Sequence, residues 1–323
     1  MTLYPLKFTP IFKEKIWGGD KLKTILNKDI PSNLTGESWE ISGIEGDESQ
    51  VANGPLIGLS LSALIAEYKE KLVGEKIYKQ FGNEFPLLIK FIDANDDLSV
   101  QVHPDDKVAA ERHQSFGKTE MWYVCEADVN AQLVAGFKEK SSKDEMIKHL
   151  EQGTVEDLLN FEAVKPNEAF FIPSGSVHAI GKGILLAEIQ QTSDLTYRIY
   201  DYNRTDSDGN LRDLHIAEAI DVINYTGNDN CRIRQEDKPE RQLVNCEYFT
   251  THALEITGQT DRDYTEIDSF VVYMCTEGRV RLEYSTGEYM TIEKGESVLL
   301  PPIFNKVKIN SQTNSKLLEV YIK

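Results

Sequence analysis

Leu98-Ser99-Val100-Gln101-Val102-His103-Pro104-Asp105-Asp106 decides how this chain is read. Gln101 and His103 stand two apart in a β-prone run, so on a strand they face the same side. Two further stretches complete a split constellation. Gly117-Lys118-Thr119-Glu120-Met121-Trp122-Tyr123 places Glu120 at the start of an apolar run. Pro173-Ser174-Gly175-Ser176-Val177-His178-Ala179 places His178 across a Pro-x-Gly turn from the apolar segment Ala169-Phe170-Phe171-Ile172. Two imidazoles, one carboxylate and one amide oxygen make a mixed nitrogen and oxygen donor set, which suits a divalent transition metal with an open position. A histidine more often packs or faces solvent than ligates, and the chain has six. What singles out Gln101, His103, Glu120 and His178 is their order: Q-x-H, then E, then P-x-G-x-x-H.

Outward from these motifs the chain reads as mainly β. Residues 85–93 form an apolar run without alternation, which predicts a strand buried on both faces. Residues 121–126 and 129–137 read as a strand pair, 164–172 as a further strand, and 184–190 and 196–202 as two more. On the last, Arg198 and Tyr200 share a face. Residues 60–80 change period: Leu61, Leu64, Ile65, Tyr68 and Leu72 predict an amphipathic helix capped by Ser60. Ser142 and Glu145 form a capping-box pattern ahead of Met146, Ile147 and Leu150, and Thr154 is the expected cap of a short helix to residue 160. A fourth helix is expected after Asp213. Residues 206–210 read as an exposed turn, and 226–243 as a polar boundary dividing 1–230 from 231–323. The second part reads as β throughout. Its segment Lys294-Gly295-Glu296-Ser297-Val298-Leu299-Leu300-Pro301 echoes Pro166-Asn167-Glu168-Ala169-Phe170-Phe171-Ile172-Pro173, without a following histidine.

The motif order resembles the two metal motifs of the cupin superfamily, with Gln101 where many members carry a first histidine. Ile16-Trp17-Gly18-Gly19, Gly36-Glu37-Ser38-Trp39-Glu40, Lys118-Thr119-Glu120-Met121-Trp122 and Glu188-Ile189-Gln190-Gln191-Thr192-Ser193-Asp194-Leu195-Thr196-Tyr197-Arg198 extend the likeness. Together they resemble the type I mannose-6-phosphate isomerases (phosphomannose isomerases), in their short bacterial form. The resemblance implies two cupin-like jelly-roll barrels or sandwiches with a small helical insert, the second barrel degenerate and without metal. It implies one divalent metal, Zn²⁺, on Gln101, His103, Glu120 and His178. It also implies aldose–ketose isomerisation of mannose 6-phosphate and fructose 6-phosphate through an enediolate. Arg198 falls where the family has its catalytic arginine, and a guanidinium keeps its charge and offers a planar pair of donors. Glu188 and Asp194 match acidic active-site positions. Glu188 is the candidate proton-shuttling base, and Lys118 the candidate aid to ring opening. Trp17 and Trp39 are expected at the site's rim. One departure is His178-Ala179-Ile180, where larger relatives carry His-Ala-Tyr. The His178-to-Glu188 spacing is also one residue longer than theirs.

The chain has 323 residues, 40% of them hydrophobic, and a net charge of −18. That length suffices for two domains with cores of their own. The acidity argues against nucleic acid and anionic membranes as partners. An anionic sugar phosphate then needs a local basic cluster, for which Lys90, Lys118, Arg198 and Arg204 are the candidates. Four widely spaced cysteines without C-x-x-C, no signal-type N-terminus and no long apolar run predict a reduced, cytoplasmic protein. Two other classes compete: a cupin metal oxygenase using Fe²⁺, and a non-catalytic sugar-binding or sensing module. The oxygenase calls for more histidines and fewer basic residues beside the metal. The module has no need of a full donor set together with Arg198. Neither oligomeric state nor downstream pathway is encoded in these motifs.

Overall fold

The apolar run expected at 85–93 forms the strand Leu87–Ala94, and all eight of its residues are buried. It lies inside a six-stranded antiparallel sheet, in spatial order Ile11–Gly19, Thr35–Ile41, Leu87–Ala94, Ile184–Gln191, Glu120–Ala127 and Ala169–Ile172. The computed structural model describes residues 2–323 apart from 206–208, 228–230 and 235. Most of the turn expected at 206–210 and part of the boundary expected at 226–243 therefore fall outside the described residues.

A five-stranded sheet faces the first: Tyr197–Tyr200, Val100–Val102, His178–Ile180, Gln132–Phe137 and Leu159–Ala163. Between the two sheets pack Ile92, Trp122, Val124, Phe170, Ile172 and Leu186 from one side, and Leu133, Ala135 and Ile180 from the other. The other face of the first sheet, with Ile89, Phe91, Met121 and Ile189, is covered by helices and by a second β unit. Met146, Ala219 and Ile223 cover the outside of the five-stranded sheet. Both β units are thus open sandwiches rather than closed barrels. The second is a seven-stranded sheet built on Glu240–Asn245, Thr250–Asp263, Lys306–Tyr321, Val271–Glu277 and Ser297–Leu300, which folds back through the hairpin Arg279–Ser285 and Glu288–Glu293. Ile233 still donates to Ala169 of the first sandwich, so the chain changes sheets between residues 233 and 240.

The two units share one core. Val272, Met274, Leu318 and Val320 of the second sandwich pack in the same cluster as Phe91 and Met121 of the first. A buried Lys28–Glu40 pair at 2.7 Å reinforces the junction, with Lys28 also donating to the Gly295 carbonyl. The echoed segments become Ala169–Ile172 and Ser297–Leu300, each the last strand of its sheet.

Several elements differ from their sequence pattern. Residues 60–80 make three helices, Leu61–Tyr68, Glu70–Val73 and Glu75–Phe81. Ser60 does cap the first through Ala63. Lys69 (φ 53°) and Gly74 (φ 103°) then turn the chain where uninterrupted apolar spacing predicted one helix. Any Cβ on Gly74 would meet the Asp268 carbonyl oxygen at 2.4 Å. Asp268, from the second sandwich, caps the third helix instead, accepting from Glu75 and Lys76 N–H groups, each at 2.9 Å. Asp268→Ala is expected to cost about 1 kcal/mol, the usual worth of an N-cap, read as a lower urea midpoint at constant m-value.

Residues 121–126 and 129–137 do not pair with each other. Glu120–Ala127 pairs with Ile184–Gln191 and Ala169–Ile172, while Gln132–Phe137 sits in the opposite sheet. Ser142 caps Lys143–Gln152 as expected. Thr154 provides no side-chain cap; Val155–Asp157 is a single 3₁₀ turn before the strand Leu159–Ala163. The helix expected directly after Asp213 begins at Ile216. The last strand, expected from 317, runs from Lys306 to Tyr321.

Candidate metal centre

The five-stranded sheet supplies one wall of the site. Gln101 pairs with His178 on one side and with Arg198 on the other. Residues directly opposite in a ladder point the same way, so His178, Gln101 and Arg198 form one row. His103 follows one residue beyond the strand Val100–Val102. The first sheet supplies the other wall. Trp39, Lys90, Glu188 and Trp122 are successive cross-strand partners and share its inner face. Glu120 lies two residues before Trp122 and so joins that face.

The walls meet at four side chains. His103 Nε2 lies 3.1 Å from His178 Nε2 and 3.5 Å from Glu120 Oε2. His178 Nε2 lies 3.4 Å from Glu120 Oε1 and 3.3 Å from the Gln101 amide nitrogen. Turning that amide about its terminal bond puts Oε1 in the nitrogen's place with unchanged heavy-atom positions. His103, Glu120 and His178 are each 1% exposed, so bulk water does not screen them.

The donor set fits a cation on three counts. A tetrahedron with bonds of about 2.0–2.1 Å has edges of roughly 3.3–3.4 Å, close to the separations found. Burial, then the charges of Lys118 and His178, pushes His103 well below its ordinary pKa, and burial holds His178 down to about 4. Both rings are therefore neutral at pH 7, and His178 Nδ1 donates to the Ser176 carbonyl at 2.8 Å, leaving Nε2 its lone pair. Most telling is Glu120. Both its oxygens are buried without a hydrogen bond. Burial, then the Glu188 charge, pushes its carboxyl up to about 8. Its nearest cationic side chain is Lys118, at 3.7 Å. Among the described residues this is the one cluster of three or more His, Cys, Asp or Glu side chains close enough to share an ion.

Beside the donors runs a buried charge relay. Lys90 Nζ is 2.8 Å from Glu188 Oε1 and 4.0 Å from Glu37 Oε2. Trp122 Nε1 donates to Glu188 Oε2 at 2.7 Å, and Trp39 Nε1 to Glu37 at 2.6 Å. Burial alone would strip the Lys90 proton, but Glu188 and Glu37 outweigh it and raise the ammonium above its ordinary range. Glu37, which burial pushes up, is held down to about 2 by Lys90 and Lys15. The Trp122 indole and the Glu37 carboxylate were not assigned roles from sequence, and Trp39, expected at the rim, lies buried on the inner wall beside Lys90. Their relation to Glu188 depends on strand pairing, which no local motif reports.

The remaining candidates are more dispersed. Arg198 is half-buried at the rim, donating to Ser99 and the Asp213 carbonyl, and burial lowers its pKa somewhat. Arg204 is engaged with Asp201 and the Asp97 carbonyl; Arg212 shares the same Asp201 carboxylate. Trp17 is buried in the core between the sheets. Asp194 is exposed, on a crevice lined also by Glu84, His113 and Leu195. The four cysteines are free thiols, and burial pushes Cys125 and Cys275 up to about 12. No described helix is long and apolar enough to cross a membrane.

Comparison with known proteins is consistent over the whole chain. Residues 5–147 match the family model for the phosphomannose isomerase type I catalytic domain, and 239–321 the mannose-6-phosphate isomerase cupin domain. Mannose-6-phosphate isomerase ManA of Bacillus subtilis is 39% identical over 93% of this chain and 94% of its own length. The mannose-6-phosphate isomerase of Streptococcus mutans is 38% identical over 92% of each. The crystal structure of a mannose 6-phosphate isomerase from Bacillus subtilis superposes with a TM-score of 0.88 at 35% identity, covering 99% of this chain and 100% of that one.

Proposed function

Because the chain belongs to the type I phosphomannose isomerase family, we propose that it interconverts mannose 6-phosphate and fructose 6-phosphate at the Gln101, His103, Glu120 and His178 centre. The observation that carries this reading is the buried Glu120 carboxylate, framed by neutral imidazoles and left without a hydrogen bond. Zn²⁺ is the cation we assign. A divalent cation held there would supply Lewis acidity toward a substrate oxygen.

The protein's own groups account for the rest. Aldose–ketose exchange moves a proton between C1 and C2, so a base must reach both carbons. Glu188 is that base: it lies on the same wall as Glu120 and is oriented by the Trp122 indole and Lys90. Lys90 stays an ammonium and cannot compete for the role. Lys118, 5% exposed, assists ring opening as a proton donor. Arg198 faces the developing enediolate charge or the phosphate from the rim, where its planar donors suit either anion. Residues 1–230 would form the catalytic unit, and the second sandwich holds no comparable donor set among the described residues. Arg204, Trp17 and Asp194 are assigned no step.

The test begins with protein stripped by chelator. Restoring Zn²⁺ should restore formation of fructose 6-phosphate from mannose 6-phosphate; no turnover with any divalent cation would reject the isomerase. Ferrous-dependent oxygen uptake would favour an oxygenase, and binding without conversion a sugar-binding module. In the loaded enzyme, Arg198→Ala should keep its metal and lose about 10²- to 10³-fold in kcat, as when one charge-stabilising donor is removed. A variant near full rate removes Arg198 from the mechanism.

A further inference from the structure

Three consecutive backbone amides lead into the Glu120 strand, and each has its own acceptor. Gly117 N–H donates to Asp106 Oδ1 at 2.8 Å, Lys118 N–H to the Pro104 carbonyl at 3.1 Å, and Thr119 N–H to Gln191 Oε1 at 2.8 Å. Gln191 closes the circuit. Its side-chain amide donates to the same Asp106 oxygen at 2.9 Å, and its backbone N–H to the Thr119 carbonyl at 3.1 Å. The regular ladder ends one residue earlier, at Gln190 and Glu120; Gln191 extends it by using its side chain as a surrogate backbone. Gly117 permits the close approach. A Cβ there would lie 2.6 Å from the Asp106 nitrogen and 2.7 Å from the Asp105 carbonyl carbon. Thr119 Oγ1 also accepts from Ser174 N–H at 3.3 Å, in the turn that leads to His178.

We propose that Asp106 and Gln191 are positioning residues of the isomerisation: they clamp residues 117–119 and so set where the Lys118 ammonium stands, without touching substrate. The proposal rests on the isomerase reading above. Lys118 needs such a device because its side chain is long and has four rotatable bonds, so an error in its backbone is carried to the ammonium. Glu120 needs it less, since its own ladder to Gln190 and Ile172 holds it. The second sandwich backs the clamp: Tyr248 lines one crevice with Asp106, Gln191 and Phe116. Burial and the facing Asp106 carboxylate keep its phenol protonated.

The test is a double-mutant cycle on the full, Zn²⁺-loaded chain. Asp106→Ala is expected to lower kcat about 10- to 100-fold, the scale of a misplaced group, with KM and bound metal little changed. Asp106→Asn keeps an acceptor oxygen for both partners and should retain activity within about threefold of wild type. In a Lys118→Ala background the same Asp106→Ala change should cost less than about threefold, because the group it positions is gone. Gln191→Glu sets a second carboxylate against Asp106 and should reproduce the loss, which keeps the proposal testable if Asp106→Ala folds poorly. Equal losses in both backgrounds, or a rate that falls in step with bound metal, overturn the clamp. A wild-type chain that isomerises no sugar phosphate overturns the isomerase reading, and the clamp with it; wild-type turnover with equal losses overturns the clamp alone.

Discussion

Glu188→Gln is expected to lower kcat by about 10²- to 10⁴-fold, the range for loss of a positioned general base, while bound metal stays stoichiometric. The reason is the geometry of the first sheet's inner wall. Glu188 is 3% exposed and its two oxygens are engaged separately, one by Lys90 and one by the Trp122 indole. It is therefore fixed in place and close to the donors, as a base serving two adjacent carbons has to be. Glutamine keeps the shape and can still accept from the indole, but it cannot take up a proton. The substitution also leaves Lys90 with Glu37 alone, at 4.0 Å. Removing one member of a buried pair costs about 3–5 kcal/mol, so urea unfolding has to be measured beside the rate. The decisive readout is exchange of the substrate's C2 hydrogen with solvent: it should vanish with turnover in Glu188→Gln. Exchange that persists while isomerisation is lost would move the base elsewhere. So would a folded, metal-loaded variant within about tenfold of wild type.

The candidate site was legible where its signal is local and opaque where it is a matter of pairing. Gln101, His103, Glu120 and His178 each sit in a short motif, and the order of those motifs along the chain nominates them. Lys90 was named only as a candidate for a basic cluster, and Glu188 only through the family resemblance. Their contact, however, depends on two strands lying side by side, which no local pattern states. The same is true of Asp106 and Gln191, 85 residues apart, and of Trp122 and Glu188, 66 apart. The strand pair misread at 121–137 has the same cause. Two β-prone runs with a short turn between them usually make a hairpin, yet here each is claimed by partners from further along the chain. Helix breaks behave differently. Gly74 was visible at 60–80, but the apolar spacing of the preceding residues outweighed a single glycine. The clash with the Asp268 carbonyl that makes Gly74 necessary comes from the second sandwich, far outside that window.

Glu120→Gln separates the cost of the donor cluster from its use. Glu120 is the only carboxylate of the cluster, and without a cation both its oxygens are buried and lack hydrogen bonds. A buried polar group left in that state typically costs 1–3 kcal/mol, and a charge more. The chelated wild type should therefore be no more stable than the chelated glutamine variant, because burial and Glu188 already oppose the ionised carboxylate, a cost that a neutral glutamine does not carry. Adding Zn²⁺ should reverse the order. A ligand at about a thousand times its Kd stabilises the native state by about 4 kcal/mol. The wild type should gain on that scale. Glu120→Gln should gain less than about 1 kcal/mol, since loss of an anionic ligand weakens binding steeply, and its turnover should fall to background. Urea unfolding of both proteins, with chelator and with Zn²⁺, gives all four free energies. Equal gains in the two proteins would mean that the cation binds somewhere other than Glu120, and no gain in either would mean that these donors hold no cation. In both cases Lys118, 3.7 Å from the Glu120 carboxyl, would be left as its nearest basic side chain. The cluster would then be a buried polar packing feature rather than a centre for isomerisation.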